Sequence, residues 1–360
     1  MTYNFKKIAA ACTAAVLALA LAACGNSDSS DKDSKADSQS SQTNQTEQTV
    51  PQVTLQPSSE AESAADDPSE SEPASEGEYA PAMWLVTSPN GGKMYMMGSM
   101  HFLRDECYPL PDYVQKAYDE ADTLAVECDI TDRTASFAAT LDKADQMYYS
   151  DGTTLRDHLG DEIYDNLEGY MAAHDEKLSL YDQYQLWYID QVVSGMAVED
   201  AQLKSSKGLD MNLLQWAHDD GKEIYEVESI TFQMDLLANF SEDIYKIMLS
   251  SYSADSQEEL TQSYEDLYQA WRTGDTDAIL ALSDGETEQL DKDQQAAMDD
   301  YNDQMLYSRN KGMAAKAEEL IDGEKRTFFV VGAAHFVGDG GIIDLLTKDG
   351  YTCERVTEAE

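Results

Sequence analysis

Apolar positions divide the chain into three regimes. An unbroken apolar run extends from Ile8 to Ala23, a long stretch to about residue 80 holds few large apolar residues, and from Met83 onward apolar residues recur at the spacings of strands and helices. In that last part Met83 to Val86 reads as a short strand, Ser88-Pro89-Asn90-Gly91-Gly92 as a hairpin turn, and Lys93 to Gly98 as a second strand. Met94, Met96 and Met97 in the second strand read as core fillers rather than soft metal ligands. Pro109 to Asp122 predicts a helix, and Thr123 to Cys128 an apolar strand that ends on an acid, Glu127. Apolar residues three and four apart predict helices near 134–148, 161–174, 178–203 and 209–220, and Glu223 to Val227 is a further strand. The pattern is helical again from about 232 to 321, broken near Thr273-Gly274-Asp275 and Asp284-Gly285. Arg326 to Val331, β-branched and aromatic, is the next strand. Gly338-Asp339-Gly340-Gly341 opens a helix to about Lys348, Gly350 stops it, and Tyr351 to Val356 is the last strand. A strand, a helix and a strand in that order predict two parallel neighbours joined by a right-handed crossover.

The N-terminal run changes the picture of where the protein works. Lys6 and Lys7 precede it, and it ends in Leu21-Ala22-Ala23-Cys24-Gly25, the pattern of a secretory signal over residues 1–23 with a lipoprotein box. The run is too short and too rich in alanine for a comfortable spanning helix. The small residue before the cysteine admits the peptidase, and the Cys24 thiol is the expected lipidation site. Residues 24–80 are rich in Ser, Asp, Glu, Gln, Thr and Pro. Such a segment cannot bury enough surface to offset its ordering entropy, which predicts a disordered acidic stalk. The expected location is the cell membrane, lipid-anchored on its extracytoplasmic face, with residues 81–360 as the folded domain.

Charge and cysteine usage narrow the partners. The formal net charge is −46, and its main reading is solubility outside the cell; so acidic a surface also repels phosphate backbones, which argues against nucleic acid as a partner, and would attract a divalent cation or a cationic substrate without choosing one. Cys107, Cys128 and Cys353 remain after the signal. The compartment permits disulfides, but an odd count leaves at least one thiol free or pairing between chains, and no C-x-x-C spacing marks a zinc site.

Two of the five histidines share one setting. Tyr95-Met96-Met97-Gly98-Ser99-Met100-His101-Phe102 matches Phe329-Val330-Val331-Gly332-Ala333-Ala334-His335-Phe336: an apolar strand ends in Gly-x-x-His-Phe, with a helix expected next. A glycine at a strand end lets the backbone turn sharply and approach a ligand. Ligands of open α/β sheets bind at the carboxyl ends of strands, so parallel strands would bring His101 and His335 to one rim, where Glu127 could join them. Two imidazoles and a carboxylate suit a divalent transition metal with an open position for water, whose pKa the metal would lower. His158, His174 and His218 lie on helical stretches without such a pattern and read as surface or packing residues. The repeat also hints at two related halves.

These residues resemble the TraB/GumN family, which includes the Tiki proteins. The two Gly-x-x-His motifs are its signature, with glycines Gly98 and Gly332. Val126-Glu127-Cys128-Asp129, Gly208-Leu209-Asp210, Val227-Glu228-Ser229 with Gln233, Arg309-Asn310, and Gly338, Gly341 and Gly350 follow in the family's order over roughly 83 to 356. Ser308 stands where the family often has Glu before Arg-Asn, which removes any catalytic acid at that point. The resemblance implies an α/β (α+β) fold like erythromycin esterases and haem-binding ChaN proteins, with a mixed central sheet, flanking helices and a large helical insertion. It also implies a metal-dependent hydrolase, a peptidase acting on a peptide or protein, that uses manganese, cobalt or zinc. His101, His335 and Glu127 would be metal ligands, Glu127 or Glu228 the base, and Arg309 an oxyanion stabiliser or a carboxylate clamp. The alternative is a lipoprotein that holds haem or a metal without turnover.

Overall fold

The computed structural model describes residues 79–284 and 290–356. The signal, Cys24, the stalk up to residue 78 and the break at Gly285 lie outside the described residues. Six strands form one mixed sheet: β1 (Met83–Thr87), β2 (Lys93–Ser99), β3 (Thr123–Val126), β4 (Glu223–Glu226), β5 (Thr327–Gly332) and β6 (Thr352–Val356), in the order β4-β3-β5-β2-β1-β6. β1 pairs antiparallel with β2 through the expected hairpin, while β2, β5, β3 and β4 are mutually parallel.

The expected pairing of the two C-terminal strands does not form. β6 pairs antiparallel with β1 at the sheet edge, with two strands between it and β5. The reason lies in β2, which occupies the free side of β5 from Tyr95 to Ser99. The chain after β5 must cross β2 and β1 before it finds an open edge.

Helices α1 (Asp112–Glu120) and α2 (Arg133–Lys143) flank β3 in sequence. α3 (Leu155–Leu159), α4 (Asp161–Ala173), α5 (Leu186–Asp200) and α6 (Leu209–Asp220) follow before β4. Between β4 and β5 run α7 (Ile230–Asn239), α8 (Glu242–Leu249), α9 (Gln257–Thr273), α10 (Thr276–Asp284), α11 (Lys292–Asn302) and α12 (Ser308–Ile321). The last helix is α13 (Ile342–Lys348). The α/β class with a large helical insertion stands as expected. Gly274, in the left-handed region at φ +67°, ends α9 where the sequence places a break. The stretch read as helical from 178 is a 3-10 turn (Leu178–Tyr181) before α5 begins, and a π-turn (Asp303–Tyr307) precedes α12. Among the described residues no helix is long and apolar enough to cross a membrane.

Alternation along the strands builds two cores. Met97, Leu124, Phe328 and Val330 face the helical insertion, with Trp187, Leu213 and Met248 among their layer. Met94, Met96, Ala125, Phe329 and Val331 face α12 and α13 through Met313, Ala317, Ile342 and Leu346. Covering both faces explains why β5 reads as a continuous apolar run. The three cysteines among the described residues are free thiols, Cys107 and Cys128 buried and Cys353 half-buried.

Candidate functional site

Because β2 and β5 are parallel, both Gly-x-x-His motifs open at the same rim. They are staggered by one residue, with Ser99 opposite Gly332 and Gly98 opposite Val331. The stagger gives the two glycines different work. A Cβ on Gly98 would stand 2.7 Å from the Cα of Ala333, so glycine is needed for backbone approach. A Cβ on Gly332 would stand 3.1 Å from Glu127 Oε1 and 3.4 Å from His335 Cδ2, so its absence keeps room between acid and imidazole. Neither motif leads straight into an α-helix. His335 lies within a 3-10 turn (Ala333–His335) and α13 waits until Ile342, whereas the chain after His101 passes a 3-10 turn (Asp105–Cys107) before α1. The likeness stops at the motif, since a hairpin precedes β2 and a helix precedes β5.

A buried ionic cluster sits at this rim. The backbone ladder continues one step past β3 and β4, where the Val227 N–H donates to Val126 O and the Glu228 N–H to Glu127 O, which sets the two acids side by side. Arg309, in the first turn of α12, donates from Nη2 to Glu127 Oε2 (2.7 Å) and Glu228 Oε2 (2.8 Å), from Nε to Glu228 Oε1 (2.9 Å) and from Nη1 to Met305 O (3.0 Å). The π-turn carries Met305 and Leu306 beside this arginine, and such turns often mark functional sites. Gln233 on α7 bridges the acids, donating from Nε2 to Glu127 Oε2 (2.8 Å) and Glu228 Oε2 (3.0 Å), while its Oε1 accepts from the Cys128 thiol. Gly332 N–H donates to Glu127 Oε1 at 2.7 Å. Burial alone would raise the Glu127 pKa, but Arg309, the histidines and the Gly332 N–H outweigh it and lower it to about 2. Glu127 is a carboxylate at neutral pH.

The two histidines are held in parallel ways by unlike partners. His101 Nδ1 lies 2.8 Å from Asp210 Oδ2. Gly208 permits that contact, because its missing side chain lets the chain press against the His101 carbonyl, and the Leu209 N–H donates to Met100 O. Burial would lower the His101 pKa, but the Asp210 carboxylate, with Glu127 behind it, raises it to about 9. His335 Nδ1 lies 2.6 Å from Asn310 Oδ1, and Asn310 Nδ2 donates to Gly340 O, so the amide oxygen must accept and Nδ1 must carry the proton. Burial, then the nearby Arg309 charge, lowers the His335 pKa to about 3. His335 is therefore neutral at physiological pH, with Nε2 3.8 Å from Glu127 Oε1.

His101, His335, Glu127 and Arg309 line one cleft. Its other walls include Phe102, Leu267, Trp271, Ile279 and Leu306. Glu228 stands behind Arg309. His158, His174 and His218 lie elsewhere, bonded to Glu242, Asp200 and Asp129.

The donor chemistry fits a divalent metal in one respect. Each imidazole is oriented by an oxygen at Nδ1, the arrangement that presents Nε2 as a ligand. Among the described residues no three His, Cys, Asp or Glu side chains are grouped to hold an ion. Glu127 Oε2 is engaged by Arg309 and Gln233, so the chain offers two nitrogens and the remaining lone pair of Glu127 Oε1.

Sequence reasoning gave Asp210, Asn310 and Gln233 no role at the site, although each falls inside a quoted motif. Their partners lie 109, 25 and 106 residues away in sequence, so only the fold reveals the pairing.

The chain is similar to several known proteins. The chain is 23% identical over 334 residues to the protein named Metalloprotease TIKI2 of Danio rerio, covering 80% of this chain and 63% of that protein. It is 25% identical over 321 residues to Metalloprotease TIKI homolog of Nematostella vectensis, covering 76% and 66%. It is 26% identical over 152 residues to Uncharacterized protein YbaP of Escherichia coli, covering 42% and 54%. The matched region thus spans less than two thirds of each of these relatives. No solved structure matches the chain. The sequence model of the TraB/PrgY/gumN family matches residues 82–355, which is most of the chain, and the protein belongs to that family.

Proposed function

We propose that the protein is a cell-surface, metal-dependent hydrolase of the peptidase type, anchored to the membrane through a lipidated Cys24. One observation carries the enzymatic reading: two imidazoles, each fixed at Nδ1 by a side-chain oxygen, share a cleft with an arginine-held carboxylate. The names of the relatives support the same class.

His101 and His335 would hold the ion through Nε2, and Glu127 Oε1 is the nearest oxygen donor. When bound, such an ion polarises a carbonyl and lowers the pKa of its water. Asp210 and Asn310 fix the imidazole tautomers. Arg309 and Gln233 keep Glu127 ionised and directed, and Glu228 anchors Arg309 by taking two of its nitrogens. Because Glu127 is so weakly basic, it serves better as an oxygen ligand than as a proton acceptor. The apolar walls lower the local dielectric, which strengthens each of these charge interactions.

The test is to incubate the full-length chain with a mixed peptide library and manganese, cobalt or zinc, and to read cleavage by mass spectrometry. Cleavage should need the metal, stop on chelation, return on adding the ion back, and fall at least about 10²-fold in His101→Ala and His335→Ala. Equal cleavage by folded variants, or none by the folded parent with any of the three ions, contradicts the reading.

A further inference from the structure

The cleft supplies acceptors in His335 Nε2 and Glu127 Oε1; His101 Nε2 carries a proton while that ring is a cation and becomes a metal ligand once the proton is given up, so with the ion bound a peptide carbonyl needs another donor. Most cleft-lining donors are already engaged within the fold. Four of the five Arg309 N–H groups bond Glu127, Glu228 or Met305 O, Trp271 Nε1 donates to Gly98 O, and Ser283 Oγ donates to Ile279 O. Ser99 differs. It lines the cleft at the end of β2, its residue is only 3% exposed, and its hydroxyl has no hydrogen-bond partner among the described residues. It pairs in register with Gly332 on the parallel neighbour, so it shares the face on which a Gly332 side chain would meet Glu127 and His335. A hydroxyl buried without a partner is costly and calls for an explanation, which a ligand carbonyl in the cleft would supply.

We propose that the Ser99 hydroxyl is the ligand-facing donor of this cleft and hydrogen-bonds a carbonyl oxygen of a bound amide. For the identity of its natural ligand the proposal rests on the peptidase reading; for the hydroxyl itself it does not. Ser99 makes no covalent bond in this assignment. It binds and orients the carbonyl beside the acid and the imidazoles.

The experiment compares the full-length parent with Ser99→Ala and Ser99→Thr in three measurements. The first is thermal melting without ligand. A hydroxyl reserved for a ligand leaves the melting temperature of Ser99→Ala unchanged or higher, whereas a fall of several degrees shows a structural hydroxyl and overturns the proposal. The second is binding of N-acetyl-phenylalaninamide, an amide with an apolar side chain suited to the walls of Phe102, Leu267 and Trp271, followed by NMR titration. Binding should weaken roughly tenfold to a hundredfold in Ser99→Ala and recover in Ser99→Thr, which keeps the donor. Equal binding by parent and Ser99→Ala, or no binding by the parent, overturns the proposal. The third is metal-dependent peptide cleavage, where Ser99→Ala should lose a similar factor in kcat/KM while its manganese affinity stays that of the parent. Undiminished cleavage overturns the proposal. A parent that binds the amide through Ser99 but cleaves no peptide leaves the hydroxyl assignment standing and removes the peptidase reading alone.

Discussion

The two Gly-x-x-His motifs are nearly the same in sequence and opposite in electrostatics. His101, half-buried, meets a carboxylate, and its pKa rises to about 9. His335, 4% exposed, meets a neutral amide with Arg309 nearby, and its pKa falls to about 3. Without a metal, one imidazole is a cation at pH 7 and the other is neutral. The motif sets where a histidine stands on the sheet rim; the Asp210 carboxylate from a distant helix sets the charge of His101, whereas burial and the nearby Arg309 set that of His335. The pair also has opposite effects on stability. The His101 contribution is fully present below the ordinary histidine pKa of about 6.5 and is lost as pH rises through about 9. The depressed pKa of His335 means that the unfolded chain takes up a proton first, so stability falls as pH drops from about 6.5 towards 3, by at most about 1.4 kcal/mol per pH unit.

The largest expected effect comes from removing the cation that both buried acids share. Arg309→Met leaves Glu127 and Glu228 buried without their cation and should cost about 3–5 kcal/mol in urea unfolding at pH 7. A loss below 1 kcal/mol would mean that the cluster relaxes freely. Next are the glycines. Gly98→Ala drives a Cβ into the Ala333 backbone and should cost about 3 kcal/mol, the upper end for overpacking.

The comparison itself can be inverted by exchanging partners. Asp210→Asn should bring the His101 pKa down from about 9 and cost about 2 kcal/mol at pH 6, with little effect above pH 10. Asn310→Asp should raise the His335 pKa from about 3 and remove the loss of stability on the acid side. NMR titration of the imidazole protons reads both; unmoved values would show that burial, not the partner, sets the charge. The smallest effect belongs to Gly332→Ala, about 1 kcal/mol, because a side-chain oxygen and a ring can shift where backbone cannot.

Much of this was legible in the sequence, for definable reasons. The hairpin, the apolar run of β5 and the glycine stop at Gly274 follow from local patterns that the fold leaves intact. Both motifs reached one rim because each ends an apolar strand and the two strands run parallel. The pairing of β6 was not legible, because the crossover rule does not say that β2 already occupies the side of β5 that β6 needed. The π-turn before Arg309 leaves no mark in an apolar period, and the Asp210 and Asn310 contacts depend on how distant segments dock.

The most direct measurement is calorimetric titration of the full-length chain with manganese at pH 7, 8 and 9, beside a His101→Ala/His335→Ala double variant. One equivalent should bind, more tightly as pH rises from 7 to 9 because His101 must give up its proton, and the double variant should bind none. No uptake by the folded parent, or equal uptake by the double variant, would contradict a metal site built on these two histidines.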